Sequence, residues 1–503
     1  MTRRWIAAAA LVIASGGAAQ STLIAGARVL DGTGRPAQVV DVRIIGDRIA
    51  DIGQLHQRQG EPVVFASGLV LAPGFIDTHS HADDQIFEHR DALADVSQGV
   101  TTVIVGQDGG SIFPLAGFFA KLQATPAAVN IASYVGHGTL RDKVLGTDFR
   151  RVSTPQEVQK MAELLDAEMK AGALGLSSGL EYDPGIYSDS TELFTLVKPL
   201  DHMNGRYISH VRSEDRYFWA AIDEIIAIGR HGFIPVQISH TKLAMKALWG
   251  MHDTLIARLN RARAEGINIT ADVYPYAYWQ STLTVLFPAR DFDNRNSAAF
   301  ALEQVSPADG LMLTHYGPNR SYDGKTLDQI AALRHEDDTT ALMTLIRDAE
   351  AAGKVAGGDG EETVIGTSMI EPDIEAILQW PWSNISSDGE LDGKHPRGYG
   401  AFTRVLGVYV RERNVLSLEE AIRKMTTLAA SNMGIKDRGR ISVGMYADLV
   451  LFDPATVADR ATLAEPHAVS SGIRTVWVNG VVVYEFGKAS GAYPGRVIRR
   501  EAK

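Results

Sequence analysis

Cysteine is absent from this chain of 503 residues. That excludes a disulfide framework, a thiolate metal ligand and a lipidated N-terminal cysteine. An excess of positive charge is missing too. The 49 Lys+Arg against 60 Asp+Glu leave a net charge of −11, a poor basis for non-specific nucleic-acid binding. Glycine and proline, at 48 and 19 residues, show no low-complexity or collagen-like pattern. No internal repeat stands out, and no Gly-x-Gly-x-x-Gly follows the early strand-like runs. What is present is apolar content: 45% of the residues are hydrophobic, which excludes a disordered chain. The length suggests roughly three domains at about 150 residues each, although an α/β barrel absorbs 250 or more as one unit.

Residues 1–20 read as a signal peptide. Arg3 and Arg4 form a basic start, Trp5 to Ala14 an apolar run, and Ser15-Gly16-Gly17-Ala18-Ala19 a zone of small residues. An apolar core of about ten residues is too short to span a bilayer comfortably. An uncleaved N-terminal anchor is the alternative. The expectation is an exported protein, periplasmic or secreted, with no stable membrane span once the signal is removed.

After residue 20 the pattern has period two. Leu23 to Leu30 and Val40 to Ile45 read as strands, with a Gly46-Asp47 turn leading into Arg48 to Ile52. The C-terminus repeats this style in Ala447 to Phe452 and in Thr475 to Tyr484, the latter broken by Asn479-Gly480, a strong hairpin signal. Between these ends, short apolar runs such as Thr102 to Val105, Tyr207 to Ser209, Val236 to Ile238 and Ile267 to Thr270 alternate with helical patterns. One helix is fully marked: Thr154 as N-cap, Pro155 at N1, Glu157 at N3, Val158, Met161 and Leu165 on one face, and Gly172 at the C-cap. A second begins at Ser417, with Glu420 three residues on. Alternating β and α predicts a parallel sheet, and the length suits a closed (β/α)8 barrel, an open doubly wound sheet being the alternative. The predicted division is 21–73 and 437–503 as two β parts, and 74–436 as an α/β barrel. A polar stretch at about 284–365 is predicted to be an insertion over the barrel mouth.

Chemistry-bearing residues sit where the strand-like runs end. His79 and His81, in Pro73-Gly74-Phe75-Ile76-Asp77-Thr78-His79-Ser80-His81, stand two apart, so in extended chain both side chains reach one cation. His210 follows Tyr207 to Ser209, His240 follows Val236 to Ser239, and Asp388 follows Asn384 to Ser387. Each alone is weak, since an aspartate there is commonly a turn residue. Four imidazoles and a carboxylate together are nitrogen and oxygen ligands suited to Zn²⁺ or a similar divalent ion. Barrel enzymes collect their catalytic groups at that same end of the sheet.

The chain here resembles the amidohydrolase superfamily, and within it the D-aminoacylase (N-acyl-D-amino-acid deacylase) group. PGFIDTHSH at 73–81 is similar to the superfamily's opening motif. GVTTVIVG at 99–106, VGHGTLR at 135–141, GLSSGLEYDPG at 175–185, ISHVRSED at 208–215, ISHTK at 238–242 and DVYPY at 272–276 are similar to the narrower group. So are SDG at 387–389, HPRGYG at 395–400 and KDRGRISVGMYADLVLFDP at 436–454. The resemblance runs in order from about residue 21 to 490. It implies a metal-bearing (β/α)8 TIM barrel plus a small β-sandwich built from both chain ends, and a water activated by the metal to attack an amide carbonyl. His79, His81, His210 and His240 would hold one or two ions, Zn²⁺ first among the candidates. Asp388, itself beside the metal, would shuttle the proton from the water to the leaving amine. Lys242 and Arg397 match positions that bind a substrate carboxylate, and Tyr182, Tyr274 and Ser281 match other substrate contacts, with one extra residue before Ser281.

The sequence departs from the family at two points. Where the group carries a cysteine in a GNCGIS stretch, this chain has Asp108 in Gly106-Gln107-Asp108-Gly109-Gly110-Ser111. Many amidohydrolases use a carbamylated lysine at the fourth strand, but Ala171 to Leu193 contains none, and Glu181 stands there. Glu181 is the preferred candidate for the missing anionic metal ligand, with Asp108 second. The implied reaction is hydrolysis of an N-acyl amino acid, of D configuration, to a carboxylic acid and a free amino acid. A dipeptidase or cyclic-amide hydrolase on the same metal site is the first alternative, and a non-catalytic binding protein on the same scaffold the second. The implied partner is a small N-acyl amino acid or dipeptide-like molecule.

Overall fold

The computed structural model describes residues 21–355 and 358–501, so the expected signal segment lies outside the described residues. Both chain ends build one sheet. Its strands run in the order Lys488–Ala489, Val481–Glu485, Ile473–Val478, Leu449–Phe452, Val70–Pro73, Ser21–Val29, Gln38–Ile45 and Arg48–Gly53, with Val63–Phe65 also against Ser21–Val29. The antiparallel pairing of Val70–Pro73 with Leu449–Phe452 stitches the N-terminal half to the C-terminal half. A bridge between Arg48 and Tyr446 brings the far strand back toward the opposite half, so the sheet curls over its own core of Ile24, Val42, Ile44, Leu71, Leu449 and Trp477. Asn479-Gly480 forms the expected tight turn, both residues at positive φ.

A buried polar junction joins this sheet to the rest of the molecule. Asn479 donates its backbone N–H to Asp448 Oδ1 at 2.6 Å and its side-chain amide to Asn130 Oδ1 at 2.8 Å. Asn130 in turn donates to Asp448 Oδ2 at 3.1 Å, and Arg438 pairs with the same carboxylate. Every partner is buried, so the junction is satisfied from within.

Asn130 opens the third strand of a closed parallel barrel. The eight strands are β1 (Phe75–Asp77), β2 (Val100–Val105), β3 (Asn130–Ser133, continued by Val135–Gly136), β4 (Gly175–Gly179), β5 (Arg206–His210), β6 (Val236–Ile238), β7 (Ile269–Val273) and β8 (Ser383–Ile385). Neighbouring strands pair in parallel register from β1 round to β8. A bridge between Ser80 and Gly389 closes the ring, with hydrogen bonds from Asp388 N to His79 O and from His81 N to Gly389 O, both 2.9 Å. The helix Pro155–Ala171 has the predicted capping box between Thr154 and Glu157, buries Val158, Met161 and Leu165, and ends at Gly172 with φ +113°. The helix Leu418–Met425 is likewise capped by Ser417, which accepts from Glu420 N. None of the described helices is long and apolar enough to cross a membrane.

Between β7 and β8 the chain builds a separate unit. Strands Tyr278–Ser281, Glu362–Thr367 and Leu311–Tyr316 pair antiparallel in that order, with helices Leu327–Arg334 and Asp338–Gly353 beside them. Its first strand precedes the polar stretch at 284–365, because Tyr278–Ser281 is half-buried and its partner strand lies some 80 residues on in the chain. Glu362 is buried in this unit and takes Leu283 N on both carboxylate oxygens at 2.8 Å. Burial pushes its carboxyl up to about 8. The folded protein therefore holds this proton more tightly than the unfolded chain, where a glutamic acid titrates near 4.3. The stabilisation is complete below the unfolded value and is lost as pH rises through 8. Glu362→Gln, neutral and nearly isosteric, should gain about 2–4 kcal/mol over the parent between pH 5 and pH 9. Parallel stability curves for the two proteins across that range would show that burial does not hold the proton.

Candidate active site

At the carboxyl ends of the strands, seven nitrogen and oxygen donors converge. His79 and His81 leave β1 with Ser80 pinned between them by the closing bridge, so both imidazoles point across the barrel mouth. Asp388 follows β8 at φ +51°, its Oδ1 3.3 Å from His79 Nε2 and 3.1 Å from His81 Nε2. Asp108 follows β2, also at φ +51°. Its Oδ2 lies 3.3 Å from His79 Nε2, 3.6 Å from His81 Nε2 and 3.4 Å from His240 Nε2. His210, the last residue of β5, sets Nδ1 3.0 Å from His240 Nε2, and its opposite nitrogen, Nε2, 2.9 Å from Glu181 Oε2. The structure thus gathers all seven residues, but Asp108 faces three imidazoles and Glu181 only one.

The local sequence explains how Asp108 gets there. The loop after β2 folds flat against β4, where a Cβ on Gly179 would lie 2.1 Å from Asp108 O and one on Gly109 2.7 Å from Gly179 N. Only glycine at both positions allows that approach. Gln107 fastens the loop by donating to Thr78 O and Ile104 O, each at 3.0 Å.

The donor set fits a divalent cation. His79 has both ring nitrogens buried without a hydrogen-bond partner among the described residues, as has Asp108 Oδ1. Buried polar atoms left open in this way need an account, and an ion supplies one. Tetrahedral ligands about 2.0–2.1 Å from Zn²⁺ stand about 3.3–3.4 Å apart, close to the spacings around Asp108 Oδ2. The charges agree. Burial opposes ionisation of Asp108, yet the His79 and His240 imidazoles hold its carboxyl well below the usual range. Asp388 is held low as well, its burial overcome by Arg397, His240 and His79. Burial and Lys242 lower His240, but Asp108, Asp388 and Glu214 outweigh them and push it up to about 10. These carboxylates draw protons onto imidazoles whose lone pairs a cation would otherwise take.

Above the donors lies a cleft whose walls include Tyr182, Lys242, Tyr274, Ser281 and Arg397, all expected substrate contacts. Arg397 Nη1 reaches Asp388 Oδ2 at 2.5 Å, while its Nε and the Tyr274 hydroxyl are buried without partners among the described residues. Lys242 is less free than sequence reasoning implied. Its ammonium sits 2.6 and 2.9 Å from the two oxygens of Glu214 and 2.6 Å from His240 Nδ1. Glu214 was missed as a candidate although it lies within the ISHVRSED motif; nothing in its spacing marks it as pointing inward. Asp272 was also missed. It accepts from His240 N at 2.8 Å and from Ser386 Oγ at 2.7 Å, tying two strand ends together behind the donors. The insertion supplies Trp279, Val285, Leu286 and Val305, an apolar wall.

The profile of the amidohydrolase family matches residues 63–484. The chain is 35% identical to a D-aminoacylase of Alcaligenes xylosoxydans xylosoxydans, over 95% of this chain and 98% of that one. It is 36% identical to an N-acyl-D-glutamate deacylase of the same organism, over 95% and 96%. Among solved structures, it superposes with a TM-score of 0.85 and 34% identity on an N-acyl-D-glutamate deacylase of Bordetella bronchiseptica, covering 96% of this chain and 100% of that one. That structure holds zinc and a phosphonate that mimics the tetrahedral intermediate.

Proposed function

The chain belongs to the amidohydrolase family, as a metal-dependent enzyme of its D-aminoacylase branch, and from that membership we propose that it hydrolyses N-acyl-D-amino acids with neutral side chains. The observation that carries the reading is Asp388, held between two ligand-type histidines and Arg397 at the floor of a cleft with cationic and apolar walls. When bound, a divalent ion polarises the amide carbonyl and lowers the pKa of a water molecule toward neutrality. Asp388 Oδ1, beside His79 and His81, is the group placed to take a proton from an attacking water and to return it to the departing amine nitrogen. Arg397 Nε and the Tyr274 hydroxyl, both open, grip the carboxylate of the amino-acid half. Of the cleft's cations, Lys242 is paired with Glu214 and Arg397 with Asp388, so no lining cation is spare for a second, side-chain carboxylate. Trp279, Val285 and Leu286 favour a neutral, apolar side chain there.

The ligand assignment that best fits the distances puts Asp108 between the two groups of imidazoles, one with His79, His81 and Asp388, the other with His210 and His240. Glu181 then stands behind His210 and orients its ring. The site works outside the cell in this reading, since residues 1–20 carry a signal-like pattern, and N-terminal sequencing of the mature protein checks it.

The experiment is a substrate panel on metal-loaded protein. N-acetyl-D-leucine and N-acetyl-D-methionine should turn over at least tenfold more efficiently than N-acetyl-D-glutamate or N-acetyl-D-aspartate. The L enantiomers, dipeptides and hydantoins should be poor, and a chelator should abolish all turnover. A preference for L substrates or hydantoins would overturn the reading, and a preference for D-glutamate would overturn its side-chain part.

A further inference from the structure

His395 lies in the HPRGYG motif but contacts none of the seven donors described above, and the reaction as drawn leaves it unused. It is 3% exposed. Its two ring nitrogens have fixed and opposite roles. Nδ1 accepts from the backbone N–H of Arg397 at 3.0 Å, because an amide nitrogen can only donate. Nε2 lies 3.0 Å from Tyr278 O, which can only accept, so Nε2 carries the hydrogen. The ring is therefore neutral, and it bridges two elements. Arg397 begins the helix Arg397–Arg404, whose first N–H has no intrahelical partner and whose N-cap, Pro396, offers no side-chain acceptor. Tyr278 begins the insertion strand Tyr278–Ser281, which carries Ser281 into the lining of the cleft. The imidazole is clamped in place by Tyr278 at 4.8 Å, Tyr276 at 5.4 Å and Tyr274 at 6.1 Å between ring centroids. A second tie runs parallel to it, from Gln280 Nε2 to Glu390 Oε1 at 3.0 Å.

We propose that His395 is a positioning residue for substrate recognition: its neutral imidazole locks the start of the Arg397 helix to the insertion strand, and so fixes the distance between Arg397 and the wall that carries Ser281. It acts through Arg397 and takes no part in proton transfer. The inference rests on the reading that Arg397 grips the substrate carboxylate. A rigid, planar guanidinium loses grip when its backbone anchor shifts by a fraction of an ångström, because bidentate contact depends on angle as well as distance.

The two roles of the ring can be separated by substitution. In His395→Asn the side-chain oxygen falls near the place of Nδ1 and keeps an acceptor for Arg397 N–H. In His395→Gln the amide nitrogen falls near the place of Nε2 and keeps a donor for Tyr278 O. Steady-state kinetics would be run on N-acetyl-D-leucine and on its C-terminal amide, with Arg397→Ala alongside as reference. His395→Gln should raise KM for the acid about tenfold with kcat within a factor of three, and leave the amide unaffected. His395→Asn, which keeps the tie to Arg397 and breaks the one to Tyr278, should raise KM for the acid in the same direction and leave the amide unaffected. Equal KM in His395→Gln and the parent, or equal losses on acid and amide in His395→Gln while Arg397→Ala discriminates between them, would overturn the proposal. Should Arg397→Ala itself fail to discriminate acid from amide, the carboxylate reading fails first, and the role of His395 falls with it.

Discussion

Asp388→Asn should retain its metal and lose turnover by a factor of about 10² or more, which is about 2.7 kcal/mol in the barrier. The variant keeps the shape of the side chain and one oxygen facing His79 and His81, and Asp108 and the imidazoles are left to hold the ion. What it lacks is basicity: an amide can neither take a proton from water nor deliver one to an amine. The folded protein spends much to keep this residue ionised. It is buried, its backbone is in the left-handed region, and Arg397 neutralises the oxygen that does not face the imidazoles. That combination suits a proton carrier that must be charged at rest and beside the substrate. The checks are kcat on N-acetyl-D-leucine and metal content by elemental analysis of the same sample. Parent-like turnover would remove Asp388 from the proton path, and loss of metal in parallel with activity would make it a ligand first.

The second large effect is expected at Asp108. Asp108→Asn should lose at least half of the bound metal and about 10²–10³ in turnover, because an amide oxygen is a far weaker ligand than a carboxylate shared by several imidazole-bound positions. The substitution is clean with respect to the backbone, since asparagine tolerates the positive φ of this position. Asp108→Cys gives a sharper readout. In a chain with no other cysteine, cobalt loading should produce a thiolate-to-metal charge-transfer absorption that the parent lacks. Glu181→Gln should keep its metal and lose only about 10- to 100-fold in activity, the scale for disturbing a group that orients a ligand. Metal loss in the Glu181 variant, with full occupancy and no charge-transfer band in the Asp108 variants, would restore Glu181 as the ligand.

The choice between Glu181 and Asp108 shows where linear reasoning stops. The position of Glu181 after β4 is where other amidohydrolases carry a bridging group, and nothing in the sequence separates a carboxylate that faces the centre from one that faces a ligand's outer nitrogen. That distinction depends on which way the His210 ring turns. The ring is set between Tyr182 and His240, partners 28 and 30 residues away in the chain. Lys242 is a similar case: its family position is legible, but its pairing with Glu214 appears only when β5 and β6 lie side by side. His395 gave no metal-like signal at all, because its role consists of two backbone contacts, one local and one 117 residues distant.

The alternation of strand and helix, the capped helix at Pro155–Ala171, the Asn479-Gly480 hairpin and the set of histidines at the ends of β1, β5 and β6 are legible in the residues alone. These are consequences of period, capping chemistry and turn stereochemistry, all of which act within a few residues. The closure of the barrel through Ser80 and Gly389, the apolar wall that the polar insertion lends the cleft, and the placing of Asp108 rather than Glu181 before three imidazoles arise from packing across the whole ring. Those outcomes depend on distances between atoms from strands far apart in the chain, and no local preference encodes them. They follow from the parallel ring, which brings the carboxyl ends of eight strands to one mouth and leaves the loops between them to settle which side chains meet.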